Sequence, residues 1–173
     1  MKLIVAVAAK EDVPVLVKLV NSAFRGDASK QGWTHEADLL KGEQRIDAAT
    51  MSEQISDEHS ATLKCTTETG EIKGCVYLKK QNQKVYLGML TVSPNAQGEG
   101  IGKILLKASE DWAKKEGFAI MCMTVITVRT ELIDWYVRHG YKKTGRTKPF
   151  PVDERFGVPT QPLFFEVLEK ELE

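Results

Sequence analysis

The stretch Lys84–Lys107, KVYLGMLTVSPNAQGEGIGKILLK, constrains what this chain can fold into more than any other. It opens as a strand, because Val85, Tyr86, Leu87, Met89, Leu90 and Val92 are apolar, with β-branched and aromatic residues among them. Gly88 interrupts the run, and a glycine inside a strand marks a bulge or a close backbone approach. Ser93-Pro94-Asn95 then stops the strand with turn chemistry. Gln97-Gly98-Glu99-Gly100-Ile101-Gly102 follows, and Ile101, Ile104, Leu105, Ala108 and Trp112 recur at helical spacing after it. Glycines on alternate positions between a strand and a helix leave backbone N–H groups bare. Donors of that kind at a helix N-terminus favour an anion, phosphate above all. The spacing therefore predicts a phosphate cradle. It is not a Walker loop, since Gly102-Lys103 runs into Ile104 rather than Ser or Thr. Nor is it the dinucleotide fingerprint G-x-G-x-x-G, for the run reads G-x-G-x-G.

At 173 residues the chain suits one substantial core, so a single domain over 1–173 is expected. Its 24 basic and 24 acidic side chains cancel, with no run of like charge, which argues against nucleic acid or a membrane surface as the main partner. Leu3–Ala9 is apolar but short and is followed by Lys10-Glu11-Asp12, so it reads as a strand rather than a signal peptide or span. Cys65, Cys75 and Cys122 are odd in number and far apart, without C-x-x-C spacing. Reduced thiols in a cytoplasmic protein, with no metal site, are expected.

Glu11 to Phe24 is helical in pattern, with Asp12 as cap, Pro14 in the first turn and Val13, Leu16, Val17, Val20 and Phe24 on the apolar face. The next residues lose regularity until Asp47, which reads as the cap of a short helix to about Ile55. Ser60–Thr67 and Ile72–Lys80 are strands joined by Glu68-Thr69-Gly70, so three antiparallel strands lead up to the cradle. After Gly117, Phe118–Val128 is nearly all apolar, as in a strand buried on both faces. Its helical crossover makes it parallel to the Lys84 strand. Leu132, Trp135, Tyr136 and His139 share one face of a helix that Gly140 ends. Tyr141–Thr147 and Leu163–Leu168 close the sheet, with the proline-rich link Pro149–Pro162 between them.

Two motifs carry a family resemblance. Gln97, Gly100 and Gly102 match a Gln/Arg-x-x-Gly-x-Gly/Ala loop, and Tyr136, Gly140 and Tyr141 match Tyr-x-x-x-Gly-Phe/Tyr. With these motifs and the element order from Lys2 to Lys170, the chain resembles the GNAT superfamily of N-acetyltransferases. The resemblance implies an α/β (mixed α+β) fold with a central, mostly antiparallel sheet of about seven strands flanked by helices. It implies acetyl-CoA as cosubstrate, held at Leu90, Thr91, Val92, Gln97, Gly98, Glu99, Gly100, Ile101, Gly102 and Lys103. A backbone amide near Leu90 would face the thioester carbonyl, and transfer would be direct, without a covalent enzyme intermediate. Tyr136 would be the general acid, a phenol protonated at neutral pH that can protonate the leaving thiolate. The chain departs from the family pattern at Arg129, where members often carry an Asn that contacts the pantetheine arm, and at Leu132, where a small residue is usual.

The base and the acceptor site are expected in the irregular stretch. Lys84–Ser93 holds no carboxylate, which leaves Glu36 and Asp38 as bases acting through water, ahead of His35 and His139. Trp33 precedes Glu36 by three residues, so on one helical turn the indole and carboxylate would share a side. That pair suits an organic ammonium, through cation–π attraction of about 0.5–2 kcal/mol and the opposite charge. Arg45, facing the same cleft, would favour an acceptor that also carries an acid group. The substrate-binding candidates are thus Trp33, Glu36, Asp38 and Arg45, and the expected activity is acetyl transfer from acetyl-CoA to a primary amine of a small molecule. A non-catalytic acyl-CoA-binding sensor and a protein lysine or N-terminal acetyltransferase are the alternatives, and a homodimer is left open.

Overall fold

The computed structural model describes residues 2–173. In chain order the strands and helices are β1 (Leu3–Val7), α1 (Val13–Phe24), β2 (Leu40–Lys41), α2 (Ala48–Ser56), β3 (Ser60–Thr67), β4 (Ile72–Gln81) and β5 (Lys84–Val92), then α3 (Ile101–Lys115), β6 (Ile120–Ile126), α4 (Thr130–Arg138), β7 (Lys142–Pro149), β8 (Val158–Pro159) and β9 (Phe164–Glu171). Seven of the strands form one sheet in the order β1-β3-β4-β5-β6-β9-β7, in which β5 and β6 are the parallel neighbours and the other pairs are antiparallel. The expected mostly antiparallel sheet of about seven strands is what forms.

Helices cover both faces, so the central strands are apolar on both sides. On one face α1 and α2 bury Leu16, Val20, Phe24 and Met51 against Cys75 and Met89. On the other, α3 and α4 bury Ile101, Leu105, Ile133 and Tyr136 against Leu78, Leu87 and Met121. Each large apolar side chain hidden in this way contributes about 1.5–3 kcal/mol. The buried side of α3 is turned slightly from the expected one, so that Leu106 is buried and Ile104 lies at the exposed edge.

Local chemistry sets the element ends. Asp47 caps α2 as expected, accepting from the Thr50 amide at 2.8 Å. Asp12 does not cap α1: its carboxylate turns back to the Ala9 amide (2.8 Å) and to Lys64 on β3 (2.9 Å). Gly117 follows α3 at φ 89°, with its amide on Lys114 O and the Phe118 amide on Ala113 O. This Schellman closure takes Phe118 into the turn and delays β6 to Ile120. The small β2-β8 sheet, which the sequence pattern does not announce, ties the 39–41 region to the proline-rich link through Leu40↔Pro159 and Lys41↔Val158.

The feature that matters most is how β5 leaves its neighbours. It pairs with β6 at Val85↔Met121 and Tyr86↔Cys122 and has no register partner there beyond Tyr86. On its other side the register passes from Tyr77↔Gly88 to Cys75↔Thr91, so Met89 and Leu90 face Val76 alone. That is a β-bulge, lying one residue beyond the expected Gly88. Met89 sits at φ 50°, a conformation costing an ordinary residue of order 1–3 kcal/mol. The Thr91 hydroxyl holds it by donating to Met89 O at 2.7 Å. Gly88 is a glycine for another reason: a Cβ there would lie 2.9 Å from the Tyr86 ring.

Helix α3 is seated over β4 at Gly74, where a Cβ would stand 2.7 Å from Thr91 O, 2.8 Å from Ile101 and 2.9 Å from Leu105. Gly74→Ala is expected to destabilise the protein by about 1–3 kcal/mol through overpacking, read as a lower urea midpoint with an unchanged slope. An unchanged midpoint would show that α3 can move off the sheet at no cost.

Candidate active site

Where β5 parts from β6 a cleft of about 750 Å³ opens. Its walls are β5 from Tyr86 to Leu90 and β6 from Met123 to Ile126. The glycine loop with Trp135 and Tyr136 of α4 borders it on the α3 face, and Arg25, Glu36, Arg45 and Phe156 border it on the α1 face.

The glycine loop has the properties of an anion cradle. Gly98 and Gly100 adopt φ 88° and 80°, and a Cβ on either would meet no protein atom within 4 Å. Left-handed backbone, not crowding, demands glycine there, and the space above it is open. Gly100 is the N-cap of α3 and offers no side chain to the first-turn amides. Those donors and the positive end of the helix dipole face the cleft, with Lys103 beside them. At Gly102 an added Cβ would touch Trp135 at an ordinary 3.6 Å, so neither crowding nor backbone strain requires glycine there, and the residue lines the cleft.

Gln97 behaves differently from its glycines. Its Oε1 accepts from the Trp33 amide at 2.8 Å and its Nε2 donates to the Thr34 hydroxyl at 3.0 Å. The side chain thus straps the 33–34 turn to the cradle, and a Cβ at Gly32 would sit 2.5 Å from Gln97 Nε2.

The α1 face is organised by an ion cluster. Glu36 Oε1 accepts from Arg25 at 2.5 Å, and Oε2 accepts from Arg129 at 3.1 Å. Arg25 also donates to Phe156 O from Nε (3.1 Å) and Nη2 (2.9 Å), fixing the proline-rich link over the cleft. Arg129, at the N-cap of α4, also donates to Thr34 O. Burial alone would push the Glu36 carboxyl up, but Arg129, Arg25 and Arg45 outweigh it and hold the group below the ordinary carboxylate value. Burial likewise works against the charge on Arg25 and draws its pKa down, with Glu36 opposing.

Tyr136 is 5% exposed, with its ring edge-on to Trp135 at 5.1 Å and to Tyr141 at 5.8 Å. Its hydroxyl makes no hydrogen bond among the described residues, although it borders the cleft. Burial raises the phenol well above its usual range, against a pull from Arg129, so it stays protonated through neutral pH.

The expected residues divide cleanly. Leu90, Val92, Gln97, Gly98, Gly100, Ile101, Gly102, Lys103, Tyr136, Trp33, Glu36 and Arg45 all line the cleft. Thr91 does not: it is fully buried, with its hydroxyl spent on the bulge. Glu99 is exposed beside the loop, off the lining. Asp38 points to solvent, 3.5 Å from Lys30, and does not reach the cleft. His35 accepts from the Ala37 amide away from the cleft, while His139 borders it, bonded to Trp135 O at 2.7 Å. Residues 33 and 34 form a turn and 35 and 36 no regular element, so the helical turn expected to pair Trp33 with Glu36 does not form, although both line the cleft. Glu36 in particular offers no free carboxylate, since both oxygens hold guanidinium groups. Arg25 and Phe156, which complete this side, carry no signal in the sequence: they meet only because the link folds back over α1.

The family description "Acetyltransferase (GNAT) domain" matches residues 27–151. Streptothricin acetyltransferase of Streptomyces lavendulae is 28% identical over 91 residues, which cover 51% of this chain and 48% of that protein. The protein named probable N-acetyltransferase 14 of Xenopus tropicalis is 38% identical over 77 residues, 43% of this chain and 37% of that one. The match therefore spans about half or less of the length of these curated relatives. Among solved structures, yncA of Salmonella typhimurium, determined with its cofactor acetyl-CoA, superposes with a TM-score of 0.73 at 17% identity, covering 100% of this chain and 95% of that one. At that identity the likeness is one of fold.

The Glu36 cluster has a pH signature. Its folded pKa lies below the unfolded value of about 4.3, so its contribution is complete above that value and is lost as pH falls through the folded pKa. Glu36→Gln, which leaves buried guanidinium groups without their counter-charge, is expected to cost about 3 kcal/mol at pH 7. The gap to the parent should narrow as pH drops below about 4. Urea unfolding of both proteins at pH 7 and pH 3.5 checks this; a gap that is constant with pH would contradict it.

Proposed function

The chain belongs to the GNAT acetyltransferase family, and from that premise we propose that it moves an acetyl group from acetyl-CoA to a primary amine of a small molecule. The observation that carries the reading is the splay of β5 from β6, with bare amides at one end of the opening and an unpartnered phenol beside it. The open φ-positive glycines and uncapped first turn of α3 fit a pyrophosphate, and Gly98, Gly100, Ile101, Gly102 and Lys103 would hold it. Acetyl-CoA supplies an acetyl group activated as a thioester.

The chain's own residues would do the rest. Beyond Tyr86, β5 has no strand partner on the β6 side, so its backbone donors there, Leu90's among them, would be available to a carbonyl oxygen in the cleft. Tyr136, protonated and uncommitted, serves as general acid toward a leaving thiolate. The carboxylates that border the cleft are committed: Glu36 to Arg25 and Arg129, Asp153 to Arg155 at 2.8 Å. No carboxylate at the cleft is therefore free to take the amine's proton, and kcat/KM should rise with pH alongside the free-amine fraction.

A small acceptor is supported by the link that Arg25 pins over the cleft through Phe156 O, and by the β2-β8 pairing that closes that end. A relative named as a streptothricin acetyltransferase supports it as well.

Tyr136→Phe keeps the packing and removes only the phenolic proton. Thiol release from acetyl-CoA with a panel of primary amines should show kcat down by about 10²–10⁴, with calorimetric affinity for acetyl-CoA unchanged. Near-parental turnover would leave Tyr136 as a core residue. Absence of turnover in the parent across the panel would remove the amine-acetylating reading.

A further inference from the structure

The α1 side of the cleft carries more positive charge than its carboxylates balance. Arg25, Arg45 and Arg129 all act electrostatically on Glu36, the one carboxylate among them. Both Glu36 oxygens are taken, one by Arg25 and the other by Arg129. Asp153, the other carboxylate bordering the cleft, is chelated by its own neighbour Arg155 through Nε (3.1 Å) and Nη2 (2.8 Å). Arg45 is left over. Among the described residues its guanidinium has neither a hydrogen bond nor an ion pair, although it is half-buried and lines the cleft.

The start of that side chain is nevertheless fixed. Asn21 of α1 accepts from the Arg45 amide at 2.5 Å and from the Ile46 amide at 3.0 Å, and returns a bond to Ile46 O at 3.1 Å. Ile46 itself is packed between α1 and α2. Arg45 thus projects from a rigid base on the α1–α2 face, across the sheet from the glycine cradle on the α3 face, so phosphates held at the cradle do not neutralise it. A planar guanidinium with free donors, in a cleft that Phe150 and Phe156 also line, is built to take a carboxylate by paired hydrogen bonds. A bare alkylammonium entering this side would meet only excess positive charge.

We infer that the acceptor is a zwitterion, a primary amine carrying a carboxylate, and that Arg45 receives the carboxylate. This rests on the acetyl-transfer reading and adds the substrate class to it. Glu36 then serves as a positioning residue: it holds Arg25 and Arg129 in place and does not receive the ammonium group. Specificity follows from charge balance, because a substrate carboxylate supplies the counter-charge that the chain withholds from Arg45.

The test uses matched probes. A panel of α-amino acids is assayed for thiol release from acetyl-CoA beside the corresponding α-amino amides, for the parent and for Arg45→Gln. The expected result is an acid member at least about tenfold better than its amide in kcat/KM, with that ratio falling toward 1 in Arg45→Gln. Calorimetric binding of acetyl-CoA to the variant confirms that it is folded. A second readout does not depend on turnover: binding of N-acetyl amino acids and of their amides in the presence of CoA, where the acids should bind more tightly in the parent only. Transfer to amines with no acid preference, or a preference that survives in Arg45→Gln, overturns the inference while the acetyl-transfer reading stands. If no amine is acetylated, that reading fails, and the binding experiment decides separately: no N-acetyl amino acid binding more tightly than its amide overturns this one too.

Discussion

Everything at the cleft depends on β5 and β6 being paired at their start and nowhere after. Register at Val85 and Tyr86 holds the strands together, and the bulge at Met89 and Leu90 turns β5 away. The bulge is strained, since Met89 adopts a left-handed backbone, and the strain is held by Thr91 and by the packing of Met89 against α1 and α2. A pleated strand that loses its neighbour leaves backbone donors and acceptors without partners, which is costly unless a ligand or water takes them. The opening between parallel strands is thus both a defect in the sheet and the place where an extended ligand arm can complete it.

The sides of that opening are mechanically linked. Gln97 stands at the cradle, yet its amide group holds Trp33 and Thr34. Arg129 starts α4, yet it holds Thr34 O and Glu36. Arg25 ends α1 and holds both Glu36 and the Phe156 carbonyl. Three segments, the end of α1, the cradle and the start of α4, therefore converge on residues 33–36, which keep their shape through these bonds rather than through regular secondary structure. Departure from the family pattern at Arg129 acquires a physical meaning here: the residue clamps Thr34 and Glu36 on the α1 side of the cleft.

Period and turn chemistry made much of this legible in advance. The turns between β3, β4 and β5, the Gln97–Gly102 run before an amphipathic helix, and the crossover to an apolar β6 suffice to join these strands in order, but not to put β1 beside β3 or β9 between β6 and β7. Asp47 as a helix cap is a local signal and forms as read. What was illegible depends on tertiary contact. Gly88 marks the neighbourhood of the bulge, but the bulged residues are Met89 and Leu90, because the pairing with β4 decides the register. Asp12, Asp38 and Thr91 are chemically suited to the roles expected of them, but each is committed elsewhere, to Lys64, to Lys30 and to Met89 O respectively. Glu36 lies at the cleft as expected, yet the arginines that neutralise it come from residues 25 and 129, and no local pattern links those positions.

If the splayed strands and the glycine cradle form one ligand site, the phosphates of acetyl-CoA lie at the α3 terminus and its thioester end between β5 and β6. A crystal structure of the protein with acetyl-CoA tests this most directly. Pyrophosphate oxygens are expected on the amides of the Gly98–Lys103 loop, and the acetyl end beside Leu90 and Tyr136. Ligand density that leaves the loop amides free, or that lies outside the β5–β6 opening, would contradict it.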